Sequence, residues 1–380
     1  MIYLDNAATT FPKPPAVLRA ITDCMRYDCG NPGRGSHALA LRAAEHIYIC
    51  REELATLFGS AHPERVSFTA NATTALNTVI KGLLREGDHV LISDMEHNAV
   101  LRPVFKLAET GRITYNVFPT HPSDPACTPK TVCAEILEHI RPNTRMLICA
   151  HASNICSAVL PLEEIGALCR RKGILFVVDA AQSAGHLAIN MERMHIDALC
   201  APGHKGLMGP QGTGFFLLGD GITADTLTEG GSGFNSLDPH MPDEPPERYE
   251  AGTLPTPAIA GLTAGIHEIQ KRGLESIRAH LTACNRHLSE RLLDLRGVTV
   301  YAPHHVGSVL LFNVDGVSSD ALATELDRRG FCVRAGYHCA PLAHTTLQTP
   351  SGGAVRVSPS IDTTEKQIDA FADTLKGILQ

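Results

Sequence analysis

Short apolar runs alternate with helix-like stretches between residues 65 and 220. The runs that predict strands are 65–70, 89–94, 113–119, 145–151, 174–180, 196–202 and 214–220. Segments with the apolar spacing of a helix follow the first four of them. This alternation is typical of βα units built around a mostly parallel, buried sheet, so we predict an α/β fold.

The pattern changes twice after residue 220. Residues 221–257 are rich in glycine, proline and acidic residues, which predicts a long functional loop lining a site, or a disordered surface excursion. Residues 258–295 predict two helices broken near Gly273, and strand-like and helix-like segments follow. We therefore predict a large domain over 16–257 and a smaller α+β C-terminal domain over 258–380, with residues 1–15 packing nearby.

Composition narrows the classes of partner. The 380-residue chain has a net charge of −7, which argues against nucleic acid or an anionic membrane as a partner. No apolar stretch approaches the ~20 residues of a membrane span, and no signal-peptide pattern follows Met1, so we expect a cytoplasmic protein. The twelve cysteines are scattered without a CxxC pair, so we expect no metal site and mostly reduced, buried thiols.

Candidate ligand-binding residues, most of them polar, follow the predicted strands of the large domain, where ligands bind in open α/β sheets. These residues are Ala72, Thr73, His97, Asn154, Asp179, Gln182, His204 and Lys205. Single members have ordinary structural explanations. Thr73 and Asp179 are acceptable helix caps, His97 a polar loop residue, and Lys205 a solvent-facing lysine.

Taken together, the same residues fit one ligand, pyridoxal 5′-phosphate. The helix start at 72–73 can hold a phosphate, and Asp179 can hold a protonated pyridine nitrogen, which makes the ring an electron sink. His97 can stack on a planar ring. Asn154 and Gln182 can form hydrogen bonds with the ring oxygen.

The setting of Lys205 supports this interpretation. The lysine lies within "GHKGLMGPQGTG", a run of glycines between two apolar segments. A surface lysine needs no such surroundings. A lysine that forms a Schiff base does, because the cofactor must approach the backbone closely and the ammonium must lose its proton readily.

Seven motifs occur in order along nearly the whole chain: "YLDNAATT", "MEHNAV", "HASN", "VDAAQS", "GHKGLMGPQGTG", "RYEAGT" and "VRAGYHCAP". In this arrangement the chain resembles the class V aminotransferase family, in particular its cysteine desulfurase and selenocysteine lyase members with a compact cysteine loop. The resemblance implies a fold type I pyridoxal-phosphate transferase, with a mostly parallel mixed sheet flanked by helices. It also implies a homodimer.

The resemblance assigns roles in the large domain by position. Lys205 is the Schiff-base residue, His97 stacks on the ring and moves protons, and Asp179 pairs with the pyridinium. The remaining contacts are Asn154 and Gln182 to the ring oxygen, Ala72, Thr73 and His204 to the phosphate, and Thr253 to the phosphate of the partner subunit. Pro202 stands where a phosphate-binding serine is common.

Further roles follow in the small domain and near the N-terminus. Cys339 attacks the sulfur or selenium of the substrate, and Arg356 binds its α-carboxylate, for which the bidentate guanidinium is suited. Arg34 and His37 resemble a substrate-entrance segment. Glu250 is expected near the cysteine loop.

Two details of the cysteine loop bear on its chemistry. Tyr337 stands where a second histidine is common. The activation of Cys339 can come from His338, or from the thiol proton of the substrate passing to His97.

The function implied is a pyridoxal-phosphate-dependent cysteine desulfurase. Such an enzyme converts L-cysteine to L-alanine, leaves the sulfur as a persulfide on Cys339, and passes it to a protein acceptor, as in iron–sulfur cluster assembly. The alternatives are a selenocysteine lyase acting on L-selenocysteine, or an aminotransferase or epimerase of the same family that does not use Cys339.

Overall fold

The structure is a computed structural model that describes residues 1–33 and 35–380. Its strands are β1 Ile2–Tyr3, β2 Val66–Thr69, β3 Asp88–Ser93, β4 Ile113–Phe118, β5 Thr144–Ala150, β6 Leu175–Asp179, β7 Ala198–Pro202, β8 Gly214–Leu218, β9 Val298–Val300, β10 Leu310–Val314, β11 Phe331–Cys332, β12 Arg334–Gly336 and β13 Ala354–Val357. Its helices are α1 Pro15–Asp23, α2 Ala38–Leu57, α3 Ala72–Leu83, α4 Asn98–Glu109, α5 Pro129–His139, α6 Leu162–Lys172, α7 Thr256–Arg272, α8 Leu274–Leu293, α9 Ser319–Arg328, α10 Pro341–Thr346 and α11 Glu365–Ile378. None of the described helices is both long and apolar enough to span a bilayer.

Seven strands form the central sheet in the order β2-β8-β7-β6-β5-β3-β4. The pairs from β4 across to β7 are parallel, whereas β8 pairs antiparallel with both β7 and β2. This mostly parallel mixed sheet confirms the predicted fold class. Each of the seven strands predicted between residues 65 and 220 is present.

Helices cover both faces of this sheet, which explains why its strands are apolar throughout rather than alternating. Phe176 and Val178 of β6 point into a core that includes side chains of α2, α5, α6 and α7. Their neighbours Leu175 and Val177 point into the opposite core, beneath α3 and α4. The sheet is therefore the middle of three layers.

A second, antiparallel sheet with strand order β12-β13-β10-β9 carries the C-terminal chemistry. Strand β1 pairs with β11, and Leu4 is buried with Phe312 and Phe371 in a core of their own. The N-terminal residues thus pack beside the C-terminal sheet.

Gly273 separates α7 from α8 at a φ of 80°, which confirms the predicted helix break. Side chains of α7, among them Ile259 and Leu262, pack in the core of the large sheet. The domain limits at 257 and 258 stay a prediction. Residues 219–255, all described, contain no helix or strand.

Candidate active site

A cavity of about 190 Å³ opens where the parallel strands β3, β5, β6 and β7 end. The sequence-predicted residues that line it are Ala72, Thr73, His97, Asn154, Asp179, Gln182, His204 and Lys205. The fold therefore brings together eight residues spread over more than 130 positions of the chain. Pro202, at the end of β7, also lines the cavity.

One wall of the cavity is the start of helix α3. Asn71 precedes the helix in an extended conformation, and its Oδ1 accepts a hydrogen bond of 2.9 Å from the Thr74 amide. The amides of Ala72 and Thr73 have no partner within a helix, and the helix dipole makes this end positive. Gly214 of β8 is required beside it, because a Cβ there would lie 2.4 Å from the Asn71 backbone. The wall can bind an anion such as a phosphate.

Lys205 reaches the cavity from the segment after β7. Burial lowers the pKa of its ammonium to about 8, although the Asp179 carboxylate opposes this shift. The backbone is held in place by Thr10, whose hydroxyl donates to the Lys205 carbonyl at 2.6 Å. A lysine with this pKa has a usable fraction of neutral amine near neutral pH, as a nucleophile or base requires.

Asp179 ends strand β6 and is buried on the cavity wall. Its Oδ1 accepts a hydrogen bond of 2.9 Å from the Ala181 amide. Burial raises the pKa of this carboxyl, while that amide and the charge of Lys205 act in the opposite direction. A cation placed in the cavity would restore the favourable environment of the carboxylate.

His97 caps helix α4 with its side chain, since Nδ1 accepts a hydrogen bond of 3.0 Å from the Ala99 amide. Burial lowers the pKa of the imidazole to about 4, and the charge of Lys205 adds to this effect. At neutral pH the ring is therefore uncharged and carries its proton on Nε2. Such a ring can stack on a planar ligand.

Glu96, just before His97, is a buried group to which the sequence interpretation assigned no role. Its Oε1 accepts hydrogen bonds from the Ser93 hydroxyl and, at 2.9 Å, from the Ala150 amide. These bonds join the ends of β3 and β5 beneath the cavity. Burial raises the pKa of the carboxyl to about 8.

Cys339 lies in a tight turn that is attached to the cavity walls. The Asn98 amide, in the first turn of α4, donates to the Cys339 carbonyl at 2.7 Å. The Asn154 side-chain amide donates to the His338 carbonyl at 2.8 Å. The cysteine itself is exposed, unlike seven of the twelve cysteines, which are buried. It thus differs from the buried structural thiol that composition alone would suggest.

Arg356 is buried beside the same turn, with 2% of its surface exposed. One Nη donates to the Asn154 carbonyl at 3.0 Å, and the other forms an ion pair of 2.8 Å with Asp5. Its Nε is buried without a hydrogen-bond partner among the described residues. Asp5 lies in the motif "YLDNAATT", but the motif alone did not indicate its pairing with a residue 351 positions away.

Other predicted residues lie elsewhere. The Glu250 carboxylate pairs with the buried Arg51 at 2.5 Å and accepts from the Phe68 amide at 2.7 Å, beside β2, and its expected place near the cysteine loop stays a prediction. His37 caps α2, and Thr253 lines a second cavity of about 630 Å³ beside that helix. Neither is among the described residues that line the first cavity. Arg34 lies outside the described residues.

Neither Cys339 nor Arg356 is among the described residues lining the first cavity. Asn154 connects all three features, since its side chain lines the cavity and holds the turn while its carbonyl holds Arg356. His338 has both ring nitrogens in hydrogen bonds, to Arg334 and His344. It is therefore not free to take a proton from Cys339.

The three-layered fold, with its lysine and aspartate at the carboxyl ends of the strands, is that of the fold type I pyridoxal-phosphate enzymes. The family model "Aminotransferase class-V" matches residues 2–371, and the chain belongs to this family.

The chain is also similar to individual members. It is 32% identical to a probable cysteine desulfurase of Methanothermobacter thermautotrophicus, over 99% of this chain and 94% of that protein. It is 31% identical to a probable cysteine desulfurase of Halalkalibacterium halodurans, over 99% and 92%. The apo structure of a cysteine desulfurase from Thermococcus onnurineus superposes with a TM-score of 0.90 at 29% identity, covering 99% of this chain and 94% of that one.

The family implies pyridoxal phosphate, and the cavity residues fit it. A helix start offers unpaired amides for the phosphate, and Asp179 offers a buried carboxylate for a pyridinium. Lys205 offers a primary amine whose pKa is lowered. Pro202 has no hydroxyl to give to a phosphate, which leaves the α3 amides and His204 as the groups on the cavity wall that can bind one.

The buried Glu96 generates a prediction about pH and stability. Its pKa is raised from 4.5 to about 8 in the folded protein. Between these values the folded state keeps a proton that the unfolded chain releases, so the free energy of unfolding falls as the pH rises through this window. Glu96→Gln should remove this loss. The free energy of unfolding of this variant, relative to that of the wild type, should therefore increase between about pH 5 and about pH 8, by an amount on the order of a few kcal/mol.

Urea unfolding across this pH range measures the difference. Glu86→Gln is the matched control, because Glu86 is exposed. If the free energies of unfolding of Glu96→Gln and the wild type differed by the same amount at every pH, the raised pKa of Glu96 would be contradicted.

Proposed function

We propose that this protein is a pyridoxal-phosphate-dependent cysteine desulfurase that releases L-alanine from L-cysteine and takes the sulfur onto Cys339. One observation carries the proposal. The exposed Cys339 lies in a turn that is hydrogen-bonded to Asn154, which lines the cavity that holds Lys205, and to Asn98, whose neighbours in sequence line it. An aminotransferase or epimerase needs the lysine but has no use for a cysteine attached there.

The cofactor would be held by Lys205 covalently, by the start of α3 and His204 at its phosphate, and by Asp179 at its ring nitrogen. When bound, pyridoxal phosphate supplies an electron sink for the α-carbon of an amino acid. Gln182 and Asn154 lie on the cavity wall where the ring oxygen would be contacted. The neutral ring of His97 would lie against the cofactor ring.

Lys205 is also the group placed to move the proton of the substrate α-carbon. Once its Nζ is free, the lowered pKa of about 8 lets the amine accept that proton near neutral pH. Arg356 would bind the α-carboxylate. It is already anchored by Asp5 and Asn154, which keep its guanidinium in a single orientation.

Sulfur transfer would take place at Cys339. Its thiolate sulfur forms a bond to the substrate sulfur, and the bond between that sulfur and the substrate β-carbon breaks. The bonding pair stays on the carbon skeleton, which is protonated and leaves as alanine, while Cys339 keeps a persulfide. Selenocysteine would react in the same way, with selenium in place of sulfur.

We further propose a homodimer. Large apolar side chains are exposed on α1, on the π-helical turn Cys24–Asp28 and on α2: Leu18, Met25, Tyr27, Leu39, Leu41 and Tyr48. Patches of this kind are typical of interaction surfaces. Thr253 and Tyr48 line one cavity on this side of the molecule, where Thr253 would reach the phosphate of the partner subunit.

The exposed Cys339 would then pass sulfur to an acceptor protein, for instance in iron–sulfur cluster assembly. A cytoplasmic location suits this role. The twelve cysteines are unpaired, as is usual in a reducing compartment.

Replacing the nucleophile tests the reaction class. In Cys339→Ser we expect sulfide release from L-cysteine to fall by at least about 100-fold, because the hydroxyl does not accept sulfur. Cofactor absorbance should persist. Sulfide assays with a reductant, followed by mass spectrometry of the Cys339 peptide after one turnover, measure both, with L-selenocysteine tested alongside. Cys29→Ser, which removes the other exposed cysteine, is the control and should keep wild-type activity. Full sulfide release by Cys339→Ser would refute the desulfurase proposal.

The cofactor lysine can be tested without measuring turnover. Borohydride reduction of the loaded protein should leave a pyridoxyl group on the Lys205 peptide, visible as a mass shift. In Lys205→Ala both this adduct and the activity should be absent. Among the described residues that line the cavity, no other lysine offers an amine. Lys106→Ala, an exposed lysine on α4, should behave as the wild type. An adduct of wild-type yield on another lysine would overturn the assignment.

The dimer has its own test. Sedimentation velocity of the cofactor-loaded protein should show a dimer, and Tyr48→Asp should weaken it because a charge is placed in an apolar contact. Leu137→Asp, a similarly exposed apolar residue on α5, should leave the dimer intact. An active monomer would argue against the proposal.

A further inference from the structure

The turn that carries Cys339 adopts an uncommon backbone conformation. The Ala340 amide donates to the Tyr337 carbonyl at 2.9 Å, which closes the turn. The two central residues have positive φ, 49° at His338 and 56° at Cys339. For residues with a side chain this conformation costs roughly 1–3 kcal/mol each, and it persists only where the surroundings hold it. Something other than the turn sequence must therefore keep Cys339 in this geometry.

A chain of three side chains runs beneath the turn. The His338 Nε2 lies 3.2 Å from the Arg334 carbonyl, and its Nδ1 lies 3.2 Å from the Nε2 of His344. The Nδ1 of His344 lies 2.8 Å from the hydroxyl of Thr349. The two imidazole rings lie edge to edge in nearly one plane, with centroids 5.5 Å apart and planes 11° apart, as a hydrogen bond between ring nitrogens requires. Both histidines are buried.

The donor and the acceptor of every hydrogen bond in this chain of side chains follow from the bond at its Arg334 end. A carbonyl oxygen only accepts, so His338 carries a proton on Nε2 and, being neutral, accepts at Nδ1. His344 must then donate from Nε2 and accept at Nδ1, and Thr349 must donate its hydroxyl. Burial lowers the pKa of His338 to about 3 and that of His344 to about 4, so both rings are neutral at physiological pH. All donors and acceptors are matched in one direction.

Tyr337 supports the same arrangement from the side. Its ring meets the His344 ring edge-on at 5.3 Å, and its hydroxyl accepts a hydrogen bond of 3.0 Å from the Gly352 amide. A tyrosine at this position thus attaches the turn to the segment between α10 and β13. The cysteine turn is therefore hydrogen-bonded through Tyr337 as well as to Asn98 and Asn154.

We propose that the Thr349–His344–His338 chain is a positioning relay that holds the thiol of Cys339 toward the substrate sulfur, and that His344 and Thr349 are positioning residues for sulfur transfer. The inference rests on the proposed function. It adds which side chains hold the turn beneath the exposed cysteine.

The relay affects one step, which defines its kinetic signature. Arg356 and Lys205 do not belong to it, so binding of L-cysteine should be unchanged when the relay is broken. Only the transfer of sulfur to Cys339 should slow. Rapid quench and mass spectrometry measure the rate of persulfide formation in the first turnover. Measured over a range of L-cysteine concentrations, this rate separates the binding of L-cysteine from the transfer of sulfur to Cys339.

Thr349→Val removes the hydroxyl that starts the relay, and His344→Met removes its middle. We expect each to slow first-turnover persulfide formation by about tenfold, the effect of one lost hydrogen bond of ordinary strength. The L-cysteine concentration at half-maximal rate should change by less than about twofold. Thr349→Ser and His344→Gln keep a donor at the same place and should recover most of the rate.

Thr345→Val is the matched control for Thr349→Val. Thr345 is exposed on α10, next to His344 and four residues before Thr349, and its hydroxyl donates to the Pro341 carbonyl one turn earlier. This variant should transfer sulfur at the wild-type rate. Cofactor absorbance and thermal unfolding of every variant show whether the protein is folded and loaded.

Hydrogen exchange of the backbone amides gives a second measurement that needs no turnover. In Thr349→Val, but not in Thr345→Val, the peptide spanning 335–343 should exchange faster in both the apo and the loaded protein. Wild-type persulfide rates in Thr349→Val and His344→Met would overturn the relay. The relay would also be overturned if His344→Gln slowed persulfide formation as much as His344→Met.

A wild-type protein that forms no persulfide from either L-cysteine or L-selenocysteine would instead refute the proposed function. The exchange data then decide the relay alone. Faster exchange confined to Thr349→Val and His344→Met supports it, and unchanged exchange overturns it.

Discussion

Burial removes water from the ionisable side chains around the cavity, and this desolvation governs their protonation states. Lys205, Asp179, Glu96 and His97 are gathered at the carboxyl ends of buried parallel strands, where each ionised form is penalised. The result is a set of groups shifted toward neutrality: an amine with a lowered pKa, carboxyls with raised ones, and an uncharged imidazole. A charged, planar, phosphate-bearing ligand would relieve several of these penalties at once, which is why the cavity suits one cofactor so well.

The cysteine side of the site obeys a different constraint, that of backbone geometry. Two consecutive residues with positive φ would relax unless held, and the structure holds them at several points. Asn98 and Asn154 bind the backbone of the turn from the side of the large sheet, while His344 binds the side chain of His338 from below. Asn154 is the junction, because its side chain holds the turn and its carbonyl holds Arg356. The position of the nucleophile and that of the carboxylate-binding arginine are therefore set by the same residue.

Local patterns in the sequence were sufficient for the central sheet. Strands buried on both faces must be continuously apolar, and short apolar runs separated by helical periodicity leave few alternatives. Residues after those strands could be grouped at one site because parallel strands share a carboxyl edge. Glu250 shows where this reasoning stops. It lies in a long segment without periodicity, so nothing local to it indicated the buried Arg51 as its partner.

By itself, then, the sequence indicated the fold class through local periodicity and the family through seven motifs in order. It also indicated the group of residues around Lys205, because parallel strands end at one edge of the sheet. Only the tertiary structure decided the pairing of Asp5 with Arg356, the placing of Glu96 beneath the cavity and the hydrogen bond between His338 and His344. The first joins residues 351 positions apart, and all three depend on which groups are buried together. Hydrogen-bond direction and pKa follow from burial, and burial is a property of the packed chain rather than of any segment within it.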